Sequence, residues 1–346
     1  MSADTWQIIR GGTAKAADAN GNPLFPRKCS VFVGDNAGGL DVSVLRCVFT
    51  VSQFAVQTPT TCNLRIYNLS SDGIEQLKGL RLVVQAGYES QYGVVFDGLV
   101  IQKLKGRENE TDTYLDIVAV DGYSAYANAY MNQTLEAGYS QEQLYQTYID
   151  SVTRHDVTAG AVPGFSPLKY PRGKVMYGPT RDYIREFATQ ANCRWGIDQN
   201  TINLEPIEIT APTEDAVEVN ALTGLVGTPQ QTLDGINLTT LMNPKIRGGQ
   251  HGRWIHINNK TVINLMRPST AIAAGTQFSN VHMPDGTLVT TFPSIAADGF
   301  YRVYSASHHG DTRGQAWHTN IIAASPDGQY VPLQGPFRWA QEKQDG

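Results

Sequence analysis

What most limits how this chain can fold is the spacing of its turn residues. Between residues 30 and 121, Gly, Asn and Asp part short runs that are β-branched and partly alternating. The runs are Val31–Val33, Val42–Val51, Asn63–Leu69, Leu80–Ala86, Phe96–Leu104 and Tyr114–Val120. Short strands at such intervals predict an antiparallel sandwich or barrel.

The period changes after Asp121. Ser140-Gln-Glu-Gln143 has the form of a capping box. Leu144, Tyr145, Tyr148, Ile149 and Val152 follow at three- and four-residue spacing, which predicts a helix ending near His155. Thr180 opens a second helix carrying Tyr183, Ile184, Phe187, Ala188 and Ala191, closed by Trp195-Gly196. A polar turn, Asp198-Gln-Asn200, parts two extended pieces, Arg194–Ile197 and Thr201–Leu204. Residues 125–205 therefore read as a small mixed α/β module.

Beyond 206 the pattern returns to β. Leu222-Thr-Gly-Leu-Val-Gly-Thr-Pro229 reads as a turn-rich connector, Gly235–Met242 and Arg253–Ile257 as strands, and 258–297 as a polar insertion. Phe300–Ser307 and Trp317–Ala323 form a hairpin around a tip at His308–Gly314, and the tail after Gln329 is aromatic, then charged. Gly79-Leu-Arg-Leu-Val-Val parallels the approach to Trp254-Ile-His-Ile, and Phe96-Asp97-Gly98 parallels Asp298-Gly299-Phe300. Two readings stay open: a duplicated β-domain, or two unrelated antiparallel domains that share common hairpins.

Chemistry is sparse. The chain has 346 residues, net charge −5 and no Lys/Arg run, which argues against a nucleic-acid surface. Cys29, Cys47, Cys62 and Cys193 make no C-x-x-C pair. No basic-then-apolar leader and no 18-residue apolar run is present, so the expectation is synthesis in the cytosol and no membrane partner. Asp18-x-Asn20-x-Asn22 fails as a calcium loop, with Pro23 where Gly is needed and Cys29 where Glu is needed. His308, His309 and His318, with Asp311, have the ligand types of zinc, but adjacent strand residues face opposite ways. A polar hairpin tip with imidazoles capping loops is the expectation. Glu108, Glu110 and Asp112 sit in a solvated turn that offers nothing to separate their pKa values. Tyr123, Tyr126, Tyr130, Tyr139, Tyr145 and Tyr148 suit a core or a protein interface better than a sugar site. Cys193, near a helix C-terminus, is a poor nucleophile. The expectation is no enzyme, with no catalytic, metal or cofactor residue.

The order of segments goes further. Asn63-Leu-Arg-Ile-Tyr-Asn-Leu-Ser70 precedes Leu77-Lys-Gly79, Ala86-Gly-Tyr88 and Phe96-Asp-Gly-Leu-Val. Then come Thr180-Arg-Asp-Tyr-Ile-Arg-Glu-Phe187, Trp195-Gly-Ile-Asp198 and Gly224-Leu-Val-Gly-Thr-Pro-Gln-Gln-Thr232. Leu241-Met-Asn-Pro-Lys-Ile-Arg-Gly-Gly249, Asp298-Gly-Phe-Tyr-Arg-Val303 and His309-Gly-Asp-Thr-Arg-Gly314 complete the set. Over about residues 30–325 this series resembles the baseplate hub proteins of contractile-tailed bacteriophages.

The resemblance implies a mainly β fold: two related antiparallel β-barrel tube domains, 1–124 and 206–330, plus the inserted mixed module 125–205 and a tail at 331–346. It implies a homotrimer whose six barrels form a ring between the hexameric tail tube and the trimeric central spike. Wedge components would meet the module and viral DNA would pass in transit. The location implied is the virion tail baseplate, assembled in the host cytoplasm. A hub in a phage-derived injection or bacteriocin machine is the alternative, and a tail-associated cell-wall hydrolase a further one.

Overall fold

The computed structural model describes residues 24–35, 38–54, 57–77, 81–162, 164–167, 169–206, 216–231, 235–248, 254–257, 279–282, 288–291 and 299–324. The calcium-loop candidate at Asp18 and the tail after Ala324 lie outside them.

Among the described residues seven strands build the N-terminal part: β1 (Arg27–Asp35), β2 (Gly38–Asp41), β3 (Cys47–Phe54), β4 (Thr61–Tyr67), β5 (Arg81–Tyr88), β6 (Gln91–Arg107) and β7 (Thr113–Val120), with helix α1 (Ser71–Gln76) between β4 and β5. Alternation decides which face turns inward. Phe49 on β3 lies opposite Leu64 on β4, and Leu64 opposite Ile117 on β7, all three buried. Burying each such side chain contributes about 1.5–3 kcal/mol, so a one-residue slip, which would turn the whole set outward, is strongly disfavoured. Val42–Val51 is not one strand: Leu45 N donates to the Val42 carbonyl, and β3 begins only at Cys47.

The middle segment holds α2 (Tyr123–Asn128), β8 (Tyr130–Leu135), α3 (Gln141–Thr153), β9 (Thr158–Ala159), β10 (Lys174–Pro179), α4 (Thr180–Gln190), β11 (Cys193–Asp198) and β12 (Thr201–Pro206). The capping box is present: Gln143 N donates to Ser140 Oγ at 3.1 Å, and Ser140 N to Gln143 Oε1 at 2.9 Å. The predicted stripe is buried with Ile184, Phe187 and Ala188 of α4 and Trp195, Ile202 and Leu204 of the sheet. Trp195 lies inside β11 rather than closing the helix. Gln199 (φ 51°) and Asn200 (φ 54°) both take left-handed backbone, the geometry of a two-residue hairpin turn whose twist matches its strands.

The C-terminal part contains β13 (Val217–Val219), β14 (Leu225–Gln231), β15 (Gly235–Leu241), β16 (Trp254–Ile257), β17 (Ser279–His282), β18 (Leu288–Thr291), β19 (Gly299–Asp311) and β20 (Trp317–Ala324). Three expectations change here. Most of the Leu222–Pro229 connector belongs to β14, whose bulge absorbs Gly227 and Pro229 between Val226 and Gln230. The polar insertion contains the antiparallel pair β17–β18. And β19 runs on through His308 and His309, because β3 pairs along it from Ser305 to Asp311 and supplies the hydrogen bonds a tip would lack.

The N-terminal sheet runs β3-β4-β7-β6-β5-β1, and the C-terminal sheet runs β14-β15-β20-β19-β16-β13. With β2, which continues beyond β1, and the separate β17–β18 pair set aside, each strand takes the same place in chain order within its half. The register agrees too. Val100 pairs Ala119 and Val303 pairs Ala323, and one residue later each long strand carries a bulge, before Gln102 and before Ser305. Leu99 faces both Arg81 and Val120, as Arg302 faces both Trp254 and Ala324. Asn63 and Leu64 pair Val118 and Ile117, as Asn237 and Leu238 pair Ile322 and Ile321. The registers set Gly98 against Tyr301, two residues away from the sequence match of Asp97-Gly98 with Asp298-Gly299. The last pairing differs: β1 runs antiparallel to β5, whereas β13 runs parallel to β16. Among the described residues the pairing of β19 with β3 joins the halves into one sheet of 13 strands.

Candidate assembly interface

The seam between the halves is dense with polar contacts. Asp311, at the end of β19, accepts Nη2 of Arg46 at 2.7 Å, and its Oδ1 also accepts the amides of Arg313 and Gly314. Those contacts, the Arg46 guanidinium first, hold its carboxyl below the usual carboxylate range. Thr312 N donates to the Cys47 carbonyl at 3.0 Å, and Cys47 N donates to Thr312 Oγ1 at 2.9 Å. Arg27 reaches from β1 to donate to the carbonyls of Gly314 and Gln315, its guanidinium 5.6 Å from the Trp317 ring. Trp317 Nε1 in turn donates to the Gly87 carbonyl at 3.2 Å. Trp317 and Met242 thus belong to the core of the N-terminal half.

Deeper in, Gln53 is 1% exposed and bridges both halves, donating to the Val95 carbonyl and accepting from Gly248 N. Replacing it with an apolar residue would leave two buried backbone groups unpaired, at about 1–3 kcal/mol each.

The mixed module is tied in by two largely buried ion pairs. Arg247 meets Asp198 at 3.2 Å and also donates to the Val94 carbonyl. Arg302 of β19 meets Glu205 of β12. Arg194 on β11 is buried close by; burial, with repulsion from Arg302, lowers its guanidinium to about 10. Asp121 accepts the amides of Gln199 and Asn200 at 2.5 and 2.9 Å. Two such donors favour the carboxylate, but its burial outweighs them and raises the carboxyl to about 7.

The residue types that could carry chemistry are dispersed rather than converged. His308 is fully buried on β19 with Nδ1 2.9 Å from Thr319 Oγ1. His309 faces the other side, 3.2 Å from Thr50 Oγ1, and stacks on His318 at 5.1 Å. Strand alternation separates them as the sequence predicts; burial in a strand replaces the expected loop-capping tip. Among the described residues no group of three or more His, Cys, Asp or Glu is placed to hold a metal ion. Glu108, Glu110 and Asp112 are exposed or nearly so, and Asp112 accepts the side-chain amides of Asn68 and Asn109, which shapes the turn. Tyr145 and Tyr148 are buried against Phe187, whereas Tyr130 and Tyr177 are exposed and pack edge-to-face. Burial raises the Cys193 thiol, which makes it a still poorer thiolate. Among the described residues no helix is long and apolar enough to cross a membrane.

Sequence reasoning missed β14 and the outer half of β19. The signal on β19 is present: burial continues at Tyr301, Val303, Ser305, Ala306, His308 and Gly310, an alternation that changes phase once at the bulge.

A mainly β chain with two like-ordered, largely antiparallel halves and an inserted α/β module has the fold of a bacteriophage tail protein. It is similar to the 43 kDa tail protein of prophage MuSo2 from Shewanella oneidensis, with TM-score 0.50 and 8% identity over 87% of this chain and 99% of that one. The tail protein from Neisseria meningitidis MC58 gives 0.49 and 10% identity over 87% and 97%. An E. coli component of the type VI secretion system gives 0.49 and 8% identity over 90% and 80%. No family model matches the sequence, and no curated protein does.

Proposed function

We propose that this chain is the structural hub of a contractile-tail baseplate. In this reading it is a homotrimer whose six β-modules line a ring, one side receiving the hexameric tail tube and the other a trimeric spike, with an axial channel for DNA in transit. It acts in the virion tail after assembly in the host cytoplasm. The observation that supports the reading is the shared order, register and bulge of two strand sets in one polypeptide. A threefold assembly offers six alike contacts to a sixfold partner only when each chain carries two alike surfaces. The mixed module, pinned to the C-terminal half through Asp198 and Glu205 and to the N-terminal half through Asp121, is the surface assigned to wedge components.

The reading is non-catalytic. The carboxylates of the 106–112 turn are solvated, and His308 is sealed in the sheet.

Native mass measurement of the purified chain tests it. A species of three times the 37.8 kDa chain mass that binds purified tail-tube protein supports the hub. A chain that stays monomeric at high concentration overturns it.

A further inference from the structure

The seam inside the chain shows how two modules join, and the same parts recur, unjoined, at its ends. In the seam, β19 uses one side for two strands in succession. Residues 299–302 pair with β16 and residues 305–311 pair with β3, while β20 covers the other side. The strand in the same place in the N-terminal half is β6. Its first part, 91–99, pairs with β5, and β7 covers its other side from Leu99 to Arg107. Beyond Leu99 no strand among the described residues pairs with β6 on the β5 side. The strand that would fill that place corresponds to β3, and its counterpart in the C-terminal half is β14. Among the described residues β14 pairs with β15 on one side and with no strand on the other.

Exposure follows the same contrast. On β19, where β3 is seated, Ser305, Ala306 and His308 are buried. At the matching positions of β6, Gln102, Lys103 and Lys105 are exposed, and so are Ile101 at 44% and Leu104 at 56%. Val226 on β14 is 46% exposed, whereas its counterpart Val48 is half-buried in the seam.

We propose that the open side of β6 beyond Leu99 and the outer edge of β14 are two halves of one interface, and that the occupant of each is a second copy of this chain. The proposal rests on the ring reading above and assigns its copy-to-copy contact. Edge-to-edge pairing of unlike strands is a heterologous contact, which closes into a ring when the rotation between copies divides a full turn, as the threefold reading requires. It also removes two exposed strand edges that would otherwise invite indiscriminate pairing. Register follows from the seam. Asp311 faces Val48 and His309 faces Thr50 there, so Glu108 faces Val226 of the next copy and Gly106 faces its Gln230, antiparallel. The bulge at Gly227–Pro229 breaks the edge of β14 between those two positions, which makes it a poor template for other strands.

Cysteine pairing in the full chain tests this. Glu108 and Val226 are exposed, so both tolerate substitution. Directly opposed antiparallel residues bring Cα atoms to about 4.5–5.5 Å, within disulfide reach. The chain carrying both Glu108→Cys and Val226→Cys is expected to oxidise into a covalent trimer on a non-reducing gel. A mixture of the two single variants is expected to give covalent dimers and nothing larger. Leu104→Cys with Val226→Cys lies about 13 Å out of register and is expected to stay monomeric on the gel. If the oligomer persists by native mass but the matched pair links no better than the off-register pair, the copies meet elsewhere: the interface is overturned and the ring reading stands. If the chain remains monomeric by native mass and neither pair links, both fall.

Discussion

Nη2 of Arg46 lies 2.7 Å from Oδ2 of Asp311, joining residues 265 positions apart across the β3–β19 seam. The two ends of this ion pair are not equal. Arg46 is 44% exposed at its side chain and Asp311 only 10%, and the carboxylate also holds two backbone amides of the next turn. Arg46→Ala removes a screened surface charge and should cost about 1 kcal/mol or less. Asp311→Ala strands two half-buried backbone donors as well as the Arg46 guanidinium and should cost about 1–2 kcal/mol. Chemical denaturation of both single variants and the double variant checks this; equal losses for the two would contradict it.

His308 sets a pH dependence. Burial first, then nearby Arg247 and His309, push its imidazole down from 6.5 to about 3. The folded chain therefore keeps it neutral while the unfolded chain protonates it, so its contribution is present above about pH 6.5 and is lost as pH falls towards 3. The expected loss is about 2 kcal/mol at pH 5. His308→Gln, which keeps a partner for Thr319, should flatten the acid side of a stability-against-pH curve between pH 7 and 5. An unchanged slope would show that His308 takes up its proton in the folded state.

Much of the fold was legible because alternation and turn chemistry are local. The strands around Leu64, Ile117, Leu238 and Ile321 announce themselves, and Ser140 with Gln143 fixes a helix start. What stayed hidden depended on distant partners. The 222–229 stretch, with two glycines and a proline, reads as a connector until β15 lies beside it and a bulge takes up Gly227 and Pro229. His308 and His309 read as a tip because the strand that shields them, β3, is more than 250 residues away in the chain. The two-residue offset between the Asp97–Asp298 likeness and the strand register has the same origin: turn composition is local, whereas the repeat resides in the pairing register.

Gly122 joins the N-terminal sheet to the mixed module. Its φ of +58° lies in the left-handed region, and a Cβ there would stand 2.4 Å from Cγ2 of Ile197. Gly122→Ala therefore meets both backbone strain and overpacking of a buried side chain, together about 2–3 kcal/mol. Thermal unfolding should show a lower Tm. An unchanged Tm would mean that the β7–α2 link relaxes freely and does not position the module.

In the proposed hub, one chain supplies two alike wall units to a ring. The most direct measurement is a cryo-electron map of the purified oligomer viewed down its axis. Six β-modules around the lumen are expected, with β3-β4-β7-β6 units alternating with β14-β15-β20-β19 units. A lumen lined by three modules, with the second strand set turned outward in every chain, would contradict it.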